Sequence, residues 1–480
     1  MCGIFGITNA KDASRLTYLG LFALQHRGQE SAGICTLEQT DGQMLPYRGE
    51  GLVSDVFSEE TLARLHGETA IGHVRYSTAG GLSQANIQPL MARVGGKPVS
   101  LVHNGNIVNA DILREQLESE GAILQGTADS EIVLHLMARS SEKTLSDKLV
   151  SAFNKLTGAF SLLILTPTHL YAVVDACGYR PIVLGQLPEG ENGMPAWVLS
   201  SETCALDLVG AQFVRDIIPG ELLTIELSTG QHSSRYLTLR SEQSQNLTQA
   251  RCSFEHIYFA RPDSILWGAT ALEMRHELGR QLALESPVEA DLVIAVPDSG
   301  VPLAMGYAEA SGIPFKMGLI RNHYVGRTFI EPTQNVRNFR VRLKLNPVRE
   351  LVKNKRVIVV DDSIVRGTTS RKIIELLRDA GAKEVHMRIG SPPVKHPCFY
   401  GIDTPKRRDL LATRLTDFKE MAAYLKADSL SFLNTNTMLQ VFKKMVPEQT
   451  QKNATDANGG WCISCFSGKY QDALAQKMED

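Results

Sequence analysis

Two near-continuous apolar runs, Leu292-Val293-Ile294-Ala295-Val296 and Val357-Ile358-Val359-Val360, constrain most of what the second half of this chain can fold into. Apolar at every position rather than at every second one, each reads as a strand buried on both faces. Turn residues and then a helical pattern follow each run. Thr368 to Leu377 reads as a helix, Gly381 as its cap, and Val385-His386-Met387-Arg388-Ile389 as the next strand. Buried strands alternating with helices build a parallel sheet from βαβ units, so an α/β domain is expected here.

The first half follows another pattern. Its apolar runs are short, alternating and broken by Gly, Asn and Pro: Cys2 to Ile7, Leu101 to His103, Phe160 to Leu165, Leu170 to Val174 and Trp197 to Leu199. Two stretches read as helices, Ala13 to Leu24 and Ser130 to Ala138. An α+β domain rich in antiparallel strands is expected. At 480 residues the chain is too long for one core, and its composition turns polar from Ser228 to Arg251. The boundary is therefore placed there, giving domains over residues 2–235 and 250–470, with Pro447 to Gly460 as a polar surface loop.

Composition excludes several function classes. With 43% hydrophobic and 21% charged residues and a net charge of −2, neither nucleic acid nor an anionic membrane has an electrostatic claim on the chain. No apolar run approaches the roughly 18 residues of a membrane span. No basic segment leads into an apolar stretch at the N-terminus, so a cytoplasmic location is expected. Eight cysteines in a chain of this length suit reactive thiols, metal ligands or core positions better than a disulfide framework.

One of those cysteines follows the initiator directly, in Met1-Cys2-Gly3-Ile4-Phe5-Gly6. Removal of Met1 leaves a residue carrying both a thiol and a free α-amine. The amine titrates near ~8 and the thiol near ~8.5, so one residue can supply nucleophile and base together. Three polar segments accompany it: His26 to Gly33, Gly72 to Thr78, and His103-Asn104-Gly105-Asn106. The Asn104 side-chain amide and the Gly105 N–H could bind one oxyanion; Asn-Gly is also a common hairpin turn. Arg75 could grip a carboxylate bidentately, or be an ordinary surface arginine. Asp129, in Thr127-Ala128-Asp129-Ser130-Glu131, could pair with a ligand amine or cap a helix.

The run Val357 to Val360 ends in Asp361-Asp362-Ser363-Ile364-Val365-Arg366-Gly367-Thr368-Thr369-Ser370. Adjacent carboxylates thus stand at the C-terminal end of a buried strand, where open α/β sheets bind ligands. The Gly- and Thr-rich turn that follows opens a helix, and its amides and hydroxyls make a phosphate cradle without a Walker pattern.

Cys2 with its companion segments resembles the N-terminal-nucleophile class II glutamine amidotransferases, and Asp361 to Ser370 resembles the ribose-phosphate motif of the type I phosphoribosyltransferases. The first resemblance implies an αββα sandwich. Within it Cys2 acts as nucleophile and, through its amine, base. Asn104 and Gly105 form an oxyanion hole, and Arg75, Asp129 and Arg27 shape the glutamine pocket. The second implies that phosphoribosyl pyrophosphate (PRPP) is held by Asp361, Asp362, Ser363, Arg366, Gly367, Thr368, Thr369 and Ser370. It further implies Mg²⁺ near Ser299, Asp361 and Asp362. Asn322 to Lys344, with Tyr324, Arg327 and Lys344, resembles a loop that closes over PRPP in one branch of that family.

Enzymes joining the two modules pass ammonia from glutamine to C1 of PRPP, giving 5-phosphoribosylamine, the first committed step of purine synthesis. The resemblance therefore implies that reaction, a homotetramer and feedback inhibition by purine nucleotides. A catalytically inactive PRPP sensor is the competing reading. Cys252, Cys398, Cys462 and Cys465 resemble the [4Fe–4S] ligands of one branch of these enzymes; four thiolates also suit Zn²⁺. Members of that branch often carry a propeptide, whereas here only Met1 precedes Cys2, so maturation is expected to need methionine removal alone. Cys35, Cys177 and Cys204 read as core.

Overall fold

The computed structural model describes residues 1–76, 83–188, 190–237, 249–322, 344–447 and 458–479. Tyr324 and Arg327 lie outside the described residues, as does most of 447–460.

Up to residue 237 the chain builds two antiparallel sheets. The seven-stranded sheet runs Gln212–Asp216, Val183–Gln186, Trp197–Ser200, Gly3–Ile7, Thr69–Arg75, Ser31–Leu37, Met44–Glu50. The six-stranded sheet runs His232–Tyr236, Glu221–Glu226, His169–Val174, Gly158–Leu165, Lys97–Ile107, Leu90–Val94. Three apolar layers show how they stack. Ile4, Cys35 and Ile71 meet Val102, Leu163 and Leu170 between the sheets. Phe5, Ile34 and Val74 pack outward with Ala13 and Leu21 of helix Ala13–Ala23. Leu101, Leu162 and Ile164 pack outward with helices Ala110–Ser119, Glu131–Arg139 and Leu145–Phe153. Alternate side chains of each strand thus serve opposite layers, which is the period-two rule at work in an αββα sandwich.

The polar stretch in which the boundary is placed begins with a strand, His232–Tyr236, paired in register with Glu221–Ile225. All five of its residues are exposed, because it forms the edge of the sheet. Its polarity marks a sheet edge rather than a break in the fold.

The second half holds a parallel sheet of four strands, Leu292–Ala295, Arg356–Asp361, Glu384–Ile389 and Ser429–Phe432. Val293, Ala295, Ile358 and Val360 face helices Ala271–Glu285 and Gly300–Ser311. Leu292, Ile294, Val357 and Val359 face Thr368–Asp379 and Phe418–Leu425. Covered on both sides, these strands have no reason to alternate, as their sequence does not. Among the described residues no helix is long and apolar enough to cross a membrane.

Candidate active sites and the cavity between them

Strand Gly3–Ile7 pairs with Thr69–Arg75 in a register that sets Gly3 opposite Val74. Cys2, one step earlier, therefore comes alongside Arg75 and Tyr76. Its thiol donates to the Tyr76 carbonyl at 3.6 Å, and its backbone N–H to Asn104 Oδ1 at 3.2 Å. Burial raises the thiol pKa; the nearby terminal amine, the Tyr76 contact and the Arg75 charge work against that rise. The terminal amine belongs to Met1, which is 2% exposed, and burial lowers its pKa to about 6.

Asn104 and Gly105 do not form a hairpin turn. Both lie inside the strand Lys97–Ile107, opposite Ser161 and Phe160. The Asn104 side chain is fully buried, with Oδ1 bonded to Cys2 and Nδ2 without a partner among the described residues. A buried amide donor left open beside a thiol is a costly arrangement unless a ligand completes it. Asp129 is not a simple helix cap. It accepts from the N–H groups of Ile107 and Ser130 and sits 3.5 Å from His103 Nδ1. Burial would raise its pKa, but the His103 charge and these hydrogen bonds hold it below the ordinary carboxylate value. Arg75 is buried, and both Arg75 and Asp129 act electrostatically on the Cys2 thiol.

Arg27 sits behind the cysteine. Its Nε donates to the Cys2 carbonyl at 3.0 Å, Nη1 to Glu202 at 2.5 Å, and Nη1 and Nη2 to Glu255 at 3.0 and 2.9 Å. Arg180 joins the same group through Glu255 at 3.1 Å. All four side chains are fully buried. The sequence reading did not find Glu202, Glu255 or Arg180. Each is a lone charged residue in an unremarkable context, and only the fold brings them together.

In the second half, Asp361 closes its strand and Asp362 begins the turn. Asp362 accepts from Ser299 at 2.5 Å and from Ser363 at 2.6 Å. Desolvation raises the carboxyl pKa of both, and the charge of Asp362 raises Asp361 further. Buried Arg275, also unforeseen, offsets part of this at Asp362. Gly367 adopts φ +76° and turns the chain into the helix Thr368–Asp379, whose first amides face the same space.

One cavity of about 1040 Å³ joins the two halves. From the first half Met1, Arg27 and Tyr76 line it; from the second Ser299, Lys344, Asp361, Asp362, Ser363, Arg366, Gly367, Thr368, Thr369 and Ser370 do. The predicted PRPP residues that are described thus meet around one space. Met1 and Tyr76, the neighbours of Cys2, line the same space, whereas Cys2, Arg75, Asn104, Gly105 and Asp129 do not.

Four thiols also converge. The short strands Arg251–Cys252 and Trp461–Cys462 pair in parallel with Cys252 opposite Cys462, and Cys465 follows on the next turn. Burial raises the thiol pKa of Cys252 to about 11 and of Cys462 to about 12; the charges of neighbouring thiols, Cys398 among them, add to this. All eight cysteines are free. Among the described residues no set of three or more His, Cys, Asp or Glu side chains is spaced to hold a metal ion as it stands.

A family model described as a glutamine amidotransferase domain matches residues 73–207, and one described as a phosphoribosyl transferase domain matches 277–389. Amidophosphoribosyltransferase from Bacillus subtilis is 46% identical, over 99% of this chain and 95% of that protein. The enzyme of the same name from Rhizobium etli is 49% identical, over 99% and 92%. A solved structure described as the allosteric regulatory enzyme of purine biosynthesis superposes with a TM-score of 0.88 at 44% identity, covering 100% of this chain and 99% of that one. Glutamine PRPP amidotransferase from B. subtilis, solved with ADP and GMP, gives 0.87 at 44% identity, covering 99% and 100%.

Proposed function

The chain belongs to the amidophosphoribosyltransferases, and from that premise we propose how its two sites share one reaction: transfer of the glutamine amide nitrogen to C1 of PRPP. The observation that carries the proposal is one cavity lined both by the neighbours of Cys2 and by the Asp361–Ser370 turn. Ammonia released beside Cys2 then has a short path to the sugar-phosphate residues through a space that both halves line.

With Met1 removed, the Cys2 amine takes the thiol proton and the sulfur attacks the glutamine amide carbon. The open Nδ2–H of Asn104 and the Gly105 N–H receive the oxyanion, while Arg75 and Asp129 hold the α-carboxylate and α-amine of glutamine. The C–N bond breaks, the amine returns its proton to the departing nitrogen, and water hydrolyses the thioester to glutamate. At the far end ammonia attacks C1 as the bond to pyrophosphate breaks. That step needs positioning and charge neutralisation rather than a strong base.

Asp361, Asp362 and Ser299 fit a divalent cation: two crowded buried carboxyls with raised pKa values gain most from a positive charge. They would hold Mg²⁺, whose chemistry there would be to neutralise charge on the pyrophosphate leaving group. Ser363, Arg366, Gly367, Thr368, Thr369 and Ser370 hold the 5′-phosphate, with Lys344 at the cavity edge. The four thiols fit a [4Fe–4S] cluster by donor chemistry, since three separate segments bring soft ligands to one place. Its role is structural, tying the C-terminal segment to the body. A brown protein with broad absorption near ~400 nm supports the cluster; a colourless, active zinc protein overturns it.

Eight unpaired cysteines suit a reducing compartment, the cytoplasm. Regulation by purine nucleotides is supported by the relative solved with ADP and GMP. A homotetramer rests on the family resemblance alone, and sedimentation tests it.

The deciding experiment measures pyrophosphate release from PRPP in wild type and Cys2→Ala. Glutamine-driven turnover is expected to fall at least ~10³-fold while ammonia-driven turnover persists. A variant that keeps its glutamine activity defeats the assignment. A PRPP sensor without chemistry would show no turnover with either nitrogen source.

A further inference from the structure

The oxyanion donors are gripped from outside their own domain. Gly401, from the loop after the strand Glu384–Ile389, adopts φ +99°, and a Cβ there would lie 2.9 Å from the Gly105 carbonyl carbon and 3.0 Å from its Cα and oxygen. On another side, a Cβ on Gly105 itself would lie 2.1 Å from the Ala159 carbonyl oxygen. Gly105 is therefore wedged between two backbones, neither of which can yield as a flexible side chain would. Next to it, Asn106 Nδ2 donates to the Phe399 carbonyl at 2.9 Å.

The gripping loop is fixed in turn. Arg180 donates from Nε and Nη2 to the Tyr400 carbonyl, at 3.0 and 2.6 Å. The Tyr400 ring stacks on Tyr179 with centroids 4.1 Å apart. Tyr400 Oη donates to Asp472 and Tyr470 Oη donates to the Pro397 carbonyl, each at 2.6 Å. Residues 397–401 thus connect the C-terminal segment to the strand bearing Asn104 and Gly105.

We infer that residues 397–401 are a positioning clamp for amide hydrolysis, with Gly401 and the Asn106–Phe399 hydrogen bond as its jaws. This rests on the assignment of Asn104 and Gly105 as oxyanion donors. Such donors act through fixed direction, and a displacement near 1 Å can cost about 10²-fold in rate. The clamp holds them while negative charge develops on the carbonyl oxygen, in thioester formation and again in its hydrolysis, so its loss acts on kcat rather than on glutamine binding.

The test is steady-state kinetics of Gly401→Ala and Asn106→Ala, with glutamine and separately with ammonia. Gly401→Ala is expected to lower the glutamine-driven kcat at least tenfold, and Asn106→Ala several-fold. In both, the glutamine KM and the ammonia-driven turnover stay within about twofold of wild type. Should Gly401→Ala fail to fold, Asn106→Ala decides, because it removes one hydrogen bond and adds no backbone strain. Wild-type kcat in Asn106→Ala, a rise confined to KM, or an equal loss of glutamine- and ammonia-driven turnover overturns the clamp. A Cys2→Ala protein that still consumes glutamine overturns instead the nucleophile assignment beneath it.

Discussion

Asp361 and Asp362 show what a buried pair of carboxyls costs a fold. Their folded pKa values lie above the ordinary carboxyl value, so the native state binds protons more tightly than the unfolded chain. The sign follows: as pH rises through the ordinary value near ~4 toward the raised folded values, the pair withdraws stability, and a bound cation restores it. Asp361→Asn is therefore expected to stabilise the ligand-free protein at neutral pH, on the order of 1–2 kcal/mol. The same variant should lose PRPP turnover and the rise in Tm that Mg²⁺ with PRPP gives wild type. Thermal melts with and without these ligands check both. Residues of this kind were legible in the sequence because their chemistry is conspicuous where it stands. Two carboxylates after an apolar strand, or a thiol behind the initiator, announce themselves locally. Glu202, Glu255, Arg180 and Arg275 do not, because each acquires meaning from a partner far away in the chain.

Elements were legible where the layers packed against them set their pattern. The three parallel strands with sandwiched apolar runs, and the helices Ala13–Ala23 and Thr368–Asp379, match the expected segments within two residues. Two elements are hidden in the sequence for physical reasons. Asn104-Gly105 carries turn chemistry but lies in a paired strand, and the glycine there answers to a neighbouring backbone that leaves no room for a Cβ rather than to a turn. His232–Tyr236 reads as linker because an exposed edge strand has no apolar face to display. The pair of short strands around Cys252 and Cys462 is only two residues long, too little to persist on backbone hydrogen bonds alone. If the four thiols share a cluster, Cys462→Ser should cut iron content and expose residues 458–479 to limited proteolysis. Unchanged iron and an unchanged digestion pattern would remove that cysteine from the ligand set.

At the scale of the whole molecule, the buried group of Arg27, Arg180, Glu202 and Glu255 locks the halves together. Glu255 belongs to the second half and its arginine partners to the first. Glu255→Gln leaves buried guanidinium charge uncompensated, at an expected cost of about 3–5 kcal/mol. Calorimetry should then show wild type unfolding in one transition and the variant in two. Acid should act on the same group. At Glu202 burial favours the neutral form, but the charges of His26 and Arg27 prevail and depress its pKa. A depressed folded value means stability fully present above the ordinary glutamate value near ~4.3 and lost as pH falls below it. Glu202→Gln should be less stable at neutral pH and show a flatter stability profile between about pH 5 and 2.

Met1 imposes a schedule on biosynthesis. A trimming peptidase must draw the terminal residue into its own groove, yet here that residue is enclosed, with its amine packed beside Arg27 and Arg180. Trimming and docking of the first strand therefore compete on the nascent chain. Under the role proposed for Cys2, a polypeptide that docks with Met1 in place keeps its thiol without a free α-amine beside it, and glutamine-driven turnover is expected to be absent from that fraction.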